Sequence, residues 1–357
     1  MRIALAIALL CAAGQGGCTG ITVQPFGFMP TGEAVEKVTL ANERGMRLSY
    51  IDYGATLLRA DVADRQGRRR NIILNLPDLP SYLRTQRRFA AVIGRYAGRI
   101  GNARYTLDGV TIQLPANAKG TALHGDPHGY DKRLWKRRDF ADAASIGSVY
   151  TLVSPDGDQG HPGRLEVSVT YRLLRKRDEF RIEYEARSDA PTVVNLTNHA
   201  YFNLAGAGSE GIASHRFRFG ASRYAVTDEK KVPTGELAPV RGTPLDFTRP
   251  ASAGANPAFD HSLVFDRPGL VAVIDETESG RRMEVRTSEP SAQFNTGGGF
   301  DGSETGGEGR AYQRNDGFAF ETQHLSDSPN QPGFPSTVLR PGQVFRSWTS
   351  FRFSIAK

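Results

Sequence analysis

Between Leu165 and Ala186 apolar and polar residues alternate through two consecutive runs. Leu165, Val167, Val169, Tyr171 and Leu173 hold every second position, a polar turn follows at Arg175–Asp178, and Phe180, Ile182, Tyr184 and Ala186 alternate back. A period of two places these side chains on one face of an antiparallel hairpin, and that face needs a second layer to cover it. The same pattern recurs along the chain. Val38–Leu40 leads into a turn at Asn42–Gly45, then Met46, Leu48 and Tyr50 alternate, and Val344–Ile355 sets Phe345, Phe351 and Phe353 on one side. Sustained 3.6-residue periodicity is missing, and Leu79–Arg88 is the one stretch suited to a short helix. With Gly 39 and Pro 20 in 357 residues, turns are frequent. The expected fold class is all-β, a single large antiparallel β-sandwich occupying residues 21–357. The Gly-rich stretch from Thr296 to Gly309 is expected to be a surface loop, because no strand–loop–helix pattern makes it a phosphate cradle.

The first 20 residues read as a signal peptide. Arg2 precedes an apolar run from Ile3 to Ala13, followed by Gly14, Gly16, Gly17 and Cys18. That run is too short for a stable membrane span, so a periplasmic or secreted mature protein is expected. Cys18 leaves a lipid anchor as an alternative. Both cysteines, Cys11 and Cys18, fall in this leader, so the mature chain is expected to have neither a disulfide nor thiol chemistry. The net charge is +7, and its densest clusters are Arg68–Arg70 and Arg84, Arg87 and Arg88. No aromatic residues interleave them in a nucleic-acid-binding stripe, so solvated loops are expected and nucleic-acid binding is not.

Two segments carry chemistry. NLTNHAYFNL (195–204) sets His199 among amides and aromatics, and FETQHLSDSPN (320–330) sets Glu321 at the end of an apolar strand. An imidazole and a carboxylate can together move a proton onto one oxygen and off another. Asn195, Asn198 and Asn203, with Tyr201 and Phe202, offer hydrogen-bond forks and flat apolar faces of the kind a sugar ring needs. His124 and His128 have the i,i+4 spacing of a metal pair, but Gly125 and Pro127 bar the helix that such ligation uses. A metal site is not expected.

These motifs, with IDYGATLL (51–58), GRYAGRI (94–100), ALHGDPHGYDKRLW (122–135), PTGEL…GTPLDF (233–247), FDHSLVF (259–265) and AQFNTG (292–297), occur in the order found in the aldose 1-epimerase (galactose mutarotase) family. The chain resembles that family over nearly all its length beyond the leader. The resemblance implies a large β-sandwich and interconversion of the α and β anomers of free aldoses without metal or organic cofactor. Glu321 would be the general base at the C1 hydroxyl, His199 the acid at the ring oxygen, and His124 a second ring-oxygen contact. Arg99, Arg95, Tyr201, Asp260 and Gln293 would bind substrate, and His261 would orient the Asp260 loop. Gly98 stands where the family usually has asparagine, which puts one hydroxyl contact in question, and Ala200 replaces a small hydroxyl residue. The expected partner is a small sugar, bound by a monomer or dimer. Three alternatives remain: a sugar-binding protein without chemistry, a glycoside hydrolase using Asp260 and Glu321, and a sugar-phosphate epimerase.

Overall fold

The structure is a computed structural model that describes residues 20–255 and 258–356. The leader, with Cys11 and Cys18, lies outside the described residues apart from Gly20. The predicted hairpin is present as strands Leu165–Leu174 and Glu179–Ser188, with Val169 opposite Tyr184 and Leu173 opposite Phe180. These strands sit inside an eight-stranded antiparallel sheet that also contains the C-terminal strand Phe345–Ile355. A five-stranded sheet (Gly20 to Asn71) and a six-stranded sheet (Tyr201 to Gln323) cover its apolar face. Tyr50 of the five-stranded sheet stacks on Tyr171 with centroids 5.0 Å apart. On the other side Phe217 meets Phe294 at 5.3 Å and Phe318 at 5.1 Å. Truncating such a ring to alanine typically costs about 3–5 kcal/mol, so this aromatic seam is what fixes the layers against each other.

Among the described residues the one α-helix is Leu79–Arg84, shorter than the stretch expected from sequence. Asp78 caps it by accepting from Ser81 N at 2.9 Å, and Thr85 ends it in extended conformation. The Gly-rich loop differs from expectation. It is not wholly a surface feature, because Phe300 is buried against Phe89 at 5.5 Å and Tyr201 at 4.9 Å. An apolar ring inside a glycine-rich stretch anchors it to the body of the protein.

The six-stranded sheet positions the chemistry. Its strands run in the order Tyr201–Phe202, Phe318–Gln323, Ser291–Asn295, Asp260–Phe265, Ala221–Thr227, Pro233–Pro239. Gln293 lies opposite Glu321 on one side and opposite Ser262 on the other. Side chains at these registered positions stand in a row across the sheet.

Candidate active site

A cavity of about 180 Å³ opens over this row, lined by His124, His199, Asp260, Gln293 and Glu321 together with Arg99. His199 is fixed through its backbone, its N–H donating to Ala91 O at 3.0 Å and its carbonyl accepting from Ala90 N at 2.9 Å. The neighbouring amides serve that frame and not a ligand. Asn198 Nδ2 donates to Ala90 O (2.7 Å), Asn195 Nδ2 to Ala97 O (2.9 Å) and His324 O (3.0 Å), and Asn203 Nδ2 to Asp316 O (2.9 Å). Phe202 packs in the core against Phe351 at 5.2 Å. The sugar-facing role expected of these four residues is therefore corrected: buried backbone carbonyls without strand partners need donors, and short amides supply them.

Glu321 is 2% exposed, and its Oε1 lies 3.6 Å from His199 Nε2, beyond a hydrogen bond but within reach of a shared substrate. Burial pushes the Glu321 carboxyl up to about 8, with Asp260 adding repulsion and Arg88 opposing it. Burial pushes His199 down to about 4, and the nearby Arg88 guanidinium adds to the effect. At neutral pH the pair thus holds one proton, on the carboxyl. Tyr201 lies behind the imidazole at 5.0 Å, outside the cavity lining, so it packs against His199 and does not reach the sugar space.

His124 adopts φ 59° and its Nδ1 accepts from Gly98 N at 3.1 Å. Its ring meets His199 edge-on at 5.7 Å. Burial holds His124 well below the ordinary imidazole value, so the ring is neutral and its proton sits on Nε2. That fixes His124 as a hydrogen-bond donor. It also bears on metal binding. Donor atoms of His124, His199 and Glu321 lie within 4.8 Å of one another, a set that could in principle hold zinc. With one His124 nitrogen accepting and the other protonated, neither offers a lone pair to a cation. Activity is accordingly expected to survive exhaustive dialysis against EDTA, and a loss restored by added zinc would overturn this.

Asp260 accepts from Gln293 Nε2 at 2.7 Å and from Lys231 Nζ. Burial alone would raise its pKa, but the hydrogen bond and charge of Lys231 hold it below the usual carboxylate value. Gln293 is oriented from both ends, since its Oε1 accepts from Ser262 Oγ at 2.6 Å. His261 Nδ1 accepts from Asp260 N at 3.1 Å, at the start of the strand Asp260–Phe265. Arg99 lines the cavity, whereas Arg95 does not. Its fully buried guanidinium donates to Pro162 O (2.8 Å), Gly163 O (2.9 Å) and Ser154 Oγ (2.8 Å). The sugar-binding role expected for Arg95 is corrected to one of tying together the loop at 154–163.

The sequence reading missed Arg88, Lys231, Ser262, Asn295, Gln323 and Ser326, all of which line the cavity. Three of them carried a usable signal. Ser262, Asn295 and Gln323 each follow a recognised residue by two positions on a strand, so they share its face. Arg88 had been placed among solvated loop charges. Instead it is mostly buried and ion-paired to Asp126. Arg88, His124 and Lys231 all have positive φ (54°, 59° and 63°). Such strain costs of order 1–3 kcal/mol at each non-glycine position and gathers at functional sites.

The sequence model of the aldose 1-epimerase family matches residues 36–352. Galactose mutarotase from Rattus norvegicus is 40% identical over 346 residues, covering 94% of this chain and 99% of that protein. Aldose 1-epimerase from Escherichia coli K12 is 35% identical over 341 residues, 91% and 96% of the two chains. Among solved structures, galactose 1-epimerase from Lactobacillus acidophilus superposes with a TM-score of 0.84 at 25% identity, covering 95% of this chain and 100% of that one. An aldose epimerase homologue from C. elegans gives 0.83 at 27% identity, over 89% of this chain and 98% of the other. Matched over most of its length by the family model and by relatives above 30% identity, this chain belongs to the aldose 1-epimerase family.

Proposed function

We propose that the protein is an aldose 1-epimerase that interconverts the α and β anomers of free aldoses by opening and reclosing the pyranose ring. The supporting observation is the buried pair of Glu321 and His199, 3.6 Å apart in the cavity, where burial pushes the carboxyl up and the imidazole down. The reacting form is the minor arrangement of the pair's one proton, with Glu321 as carboxylate and His199 as imidazolium; from it Glu321 takes the C1 hydroxyl proton while His199 gives its proton to the ring oxygen. The C1–O5 bond breaks and the open-chain aldehyde forms. This leaves Glu321 protonated and His199 neutral, the arrangement that burial favours. Rotation about C1–C2 and the reverse transfers then close the ring in the other configuration. The proton count of the pair is the same before and after, so no proton need come from bulk water. His124 Nε2–H donates to an oxygen of the ring, and Asp260 and Gln293 hold the hydroxyls.

A pair that works with one shared proton is active between its two titrations. With Glu321 near 8 and His199 near 4, kcat/KM for glucose is expected to be level around pH 5–7. Above about 8 the pair loses its proton and the acid is gone, and below about 4 both members are protonated and the base is gone. Polarimetry across pH checks this, with brief pH jumps on the acid side. A single rise with a midpoint at the free imidazole value would contradict the assignment.

Export of the mature protein to the periplasm or beyond is part of the same proposal and rests on the leader pattern alone. N-terminal sequencing of native protein is expected to find a start after the Ile3–Ala13 run, and a start at Met1 would dismiss it.

A further inference from the structure

The catalytic pair has beside it a cation that takes no part in the proton transfers. Arg88 and His199 are joined by a short ladder of backbone hydrogen bonds. Ala91 N donates to Arg88 O at 3.1 Å, His199 N donates to Ala91 O at 3.0 Å, and Ala90 N donates to His199 O at 2.9 Å. Both residues line the cavity, and the Arg88 side chain is largely buried. Its guanidinium is clamped by the carboxylate of Asp126, two residues beyond His124. That ion pair ties the backbone beside His199 to the loop that carries His124.

The clamp does not cancel the charge. Asp126 also accepts from Lys132 Nζ at 2.6 Å, so one carboxylate serves two cations. The next anion is Asp131, 4.0 Å from Arg88 Nε, but burial pushes its carboxyl up to about 6 and leaves it neutral at acid pH. The other two cations of the lining are engaged elsewhere. Lys231 is bonded to Asp260, and the strongest attraction on Arg99 is again that of Asp260. Around the pair itself stand neutral His124, edge-on to His199 at 5.7 Å, and Tyr201 at 5.0 Å, whose phenol burial keeps un-ionised. Asp260 favours the proton on both members of the pair. Arg88 is the lining cation that disfavours it on both.

A fixed cation opposes protonation of a carboxyl and of an imidazole alike. It therefore moves both titrations of a one-proton pair toward lower pH. The chemical step is different. When Glu321 gains a proton and His199 loses one, the net charge of the pair stays at zero, so a nearby cation acts on the pH range of activity more than on the step itself.

We propose that Arg88, held on the cavity wall by Asp126, is a positioning residue that sets the pH window in which Glu321 and His199 share one proton. This rests on the reading of those two residues as the acid–base pair. It also gives a reason for burying an arginine against a shared carboxylate: the charge is fixed in place and only partly neutralised.

The test is the pH profile of kcat/KM for glucose by polarimetry, with brief pH jumps on the acid side, in wild type, Arg88→Met and Arg88→Lys. The readout is the position of the two limbs, whatever the height of the plateau. In Arg88→Met both midpoints are expected to move to higher pH, the acid one by about half a unit or more. The basic one should move less, because Asp131 is ionised there and already offsets Arg88. Arg88→Lys, which keeps the charge, should restore both midpoints. A merely structural role for Arg88 would lower the plateau and leave the limbs where they are. If Arg88→Met does not fold, Asp126→Asn serves, since it removes the offsetting anion and should move both midpoints to lower pH. Midpoints unmoved in the variant that folds, or moved in the opposite direction, overturn the role of Arg88 and leave the proposed function intact. Wild type that turns over no aldose, or that lacks the two limbs, overturns the reading of the pair, and the role of Arg88 with it.

Discussion

Glu321→Gln is expected to lower kcat for glucose mutarotation by at least about 10²-fold and, at the same time, to make the protein more stable. The first effect follows from chemistry. Glutamine keeps the shape of the buried side chain but cannot take the C1 hydroxyl proton, and among the described residues no other carboxylate lies within 4.0 Å of His199. Asp260, the other lining acid, is held by Gln293 and Lys231. The second effect follows from linkage. The folded-state pKa of Glu321 is about 8, above its ordinary 4.5, so the folded protein binds this proton more tightly than the unfolded chain. The contribution is fully favourable below the unfolded pKa and is lost progressively as pH rises through the folded one. At pH 8 the native carboxyl therefore burdens the fold, while a neutral amide does not. A gain of a few kcal/mol and about 2–5 °C in Tm is expected at pH 8, shrinking toward pH 5. Calorimetry at the two pH values reads it directly. A variant that is both inactive and equally destabilised at pH 5 and 8 would mean that the carboxyl is not strained by burial.

That trade of stability for activity also marks where reading the sequence succeeds and fails. Layered antiparallel architecture was legible because alternation is a local signal: the hairpin at Leu165–Ser188 follows from which side chains must share a face. His199, Glu321, Asp260 and Gln293 were legible from motif order, and the structure brings all four to one cavity. Asn195, Asn198 and Asn203 were misread because an amide beside a catalytic histidine looks the same in sequence whether it meets a sugar or a carbonyl. The irregular backbone around Ala90–Ala97 has to find donors, and only the folded arrangement reveals that these amides supply them. Arg95 was misread for a related reason. Nothing local to GRYAGRI says that one arginine turns inward to the carbonyls of 154–163 while the other lines the cavity. Arg88 carried no signal at all, since its position depends on a left-handed turn and on Asp126, 38 residues away. Gln323 could have been found, because two residues after a catalytic strand residue is the same face again.

His199→Asn is expected to match the loss at Glu321, again about 10²-fold or more in kcat, because asparagine can donate a hydrogen bond to the ring oxygen but cannot give up a proton. Neutral His124 does not replace it. Its Nδ1 is held by Gly98 N–H, and its Nε2–H belongs to an uncharged ring that is a poor acid. The informative measurement is the double variant. Proton removal at C1 and proton delivery at the ring oxygen are two halves of one bond cleavage, one proton entering the pair at Glu321 as another leaves it at His199. With either member gone the other half has nothing to complete, so the second substitution is expected to cost less than about 10-fold beyond the first. Losses that multiply toward about 10⁴-fold would instead mean that Glu321 and His199 act in separate steps. Asp260→Asn provides the contrast. It should raise KM far more than it lowers kcat, because it weakens the hold on the hydroxyls and frees Lys231 without removing the acid or the base of the catalytic pair.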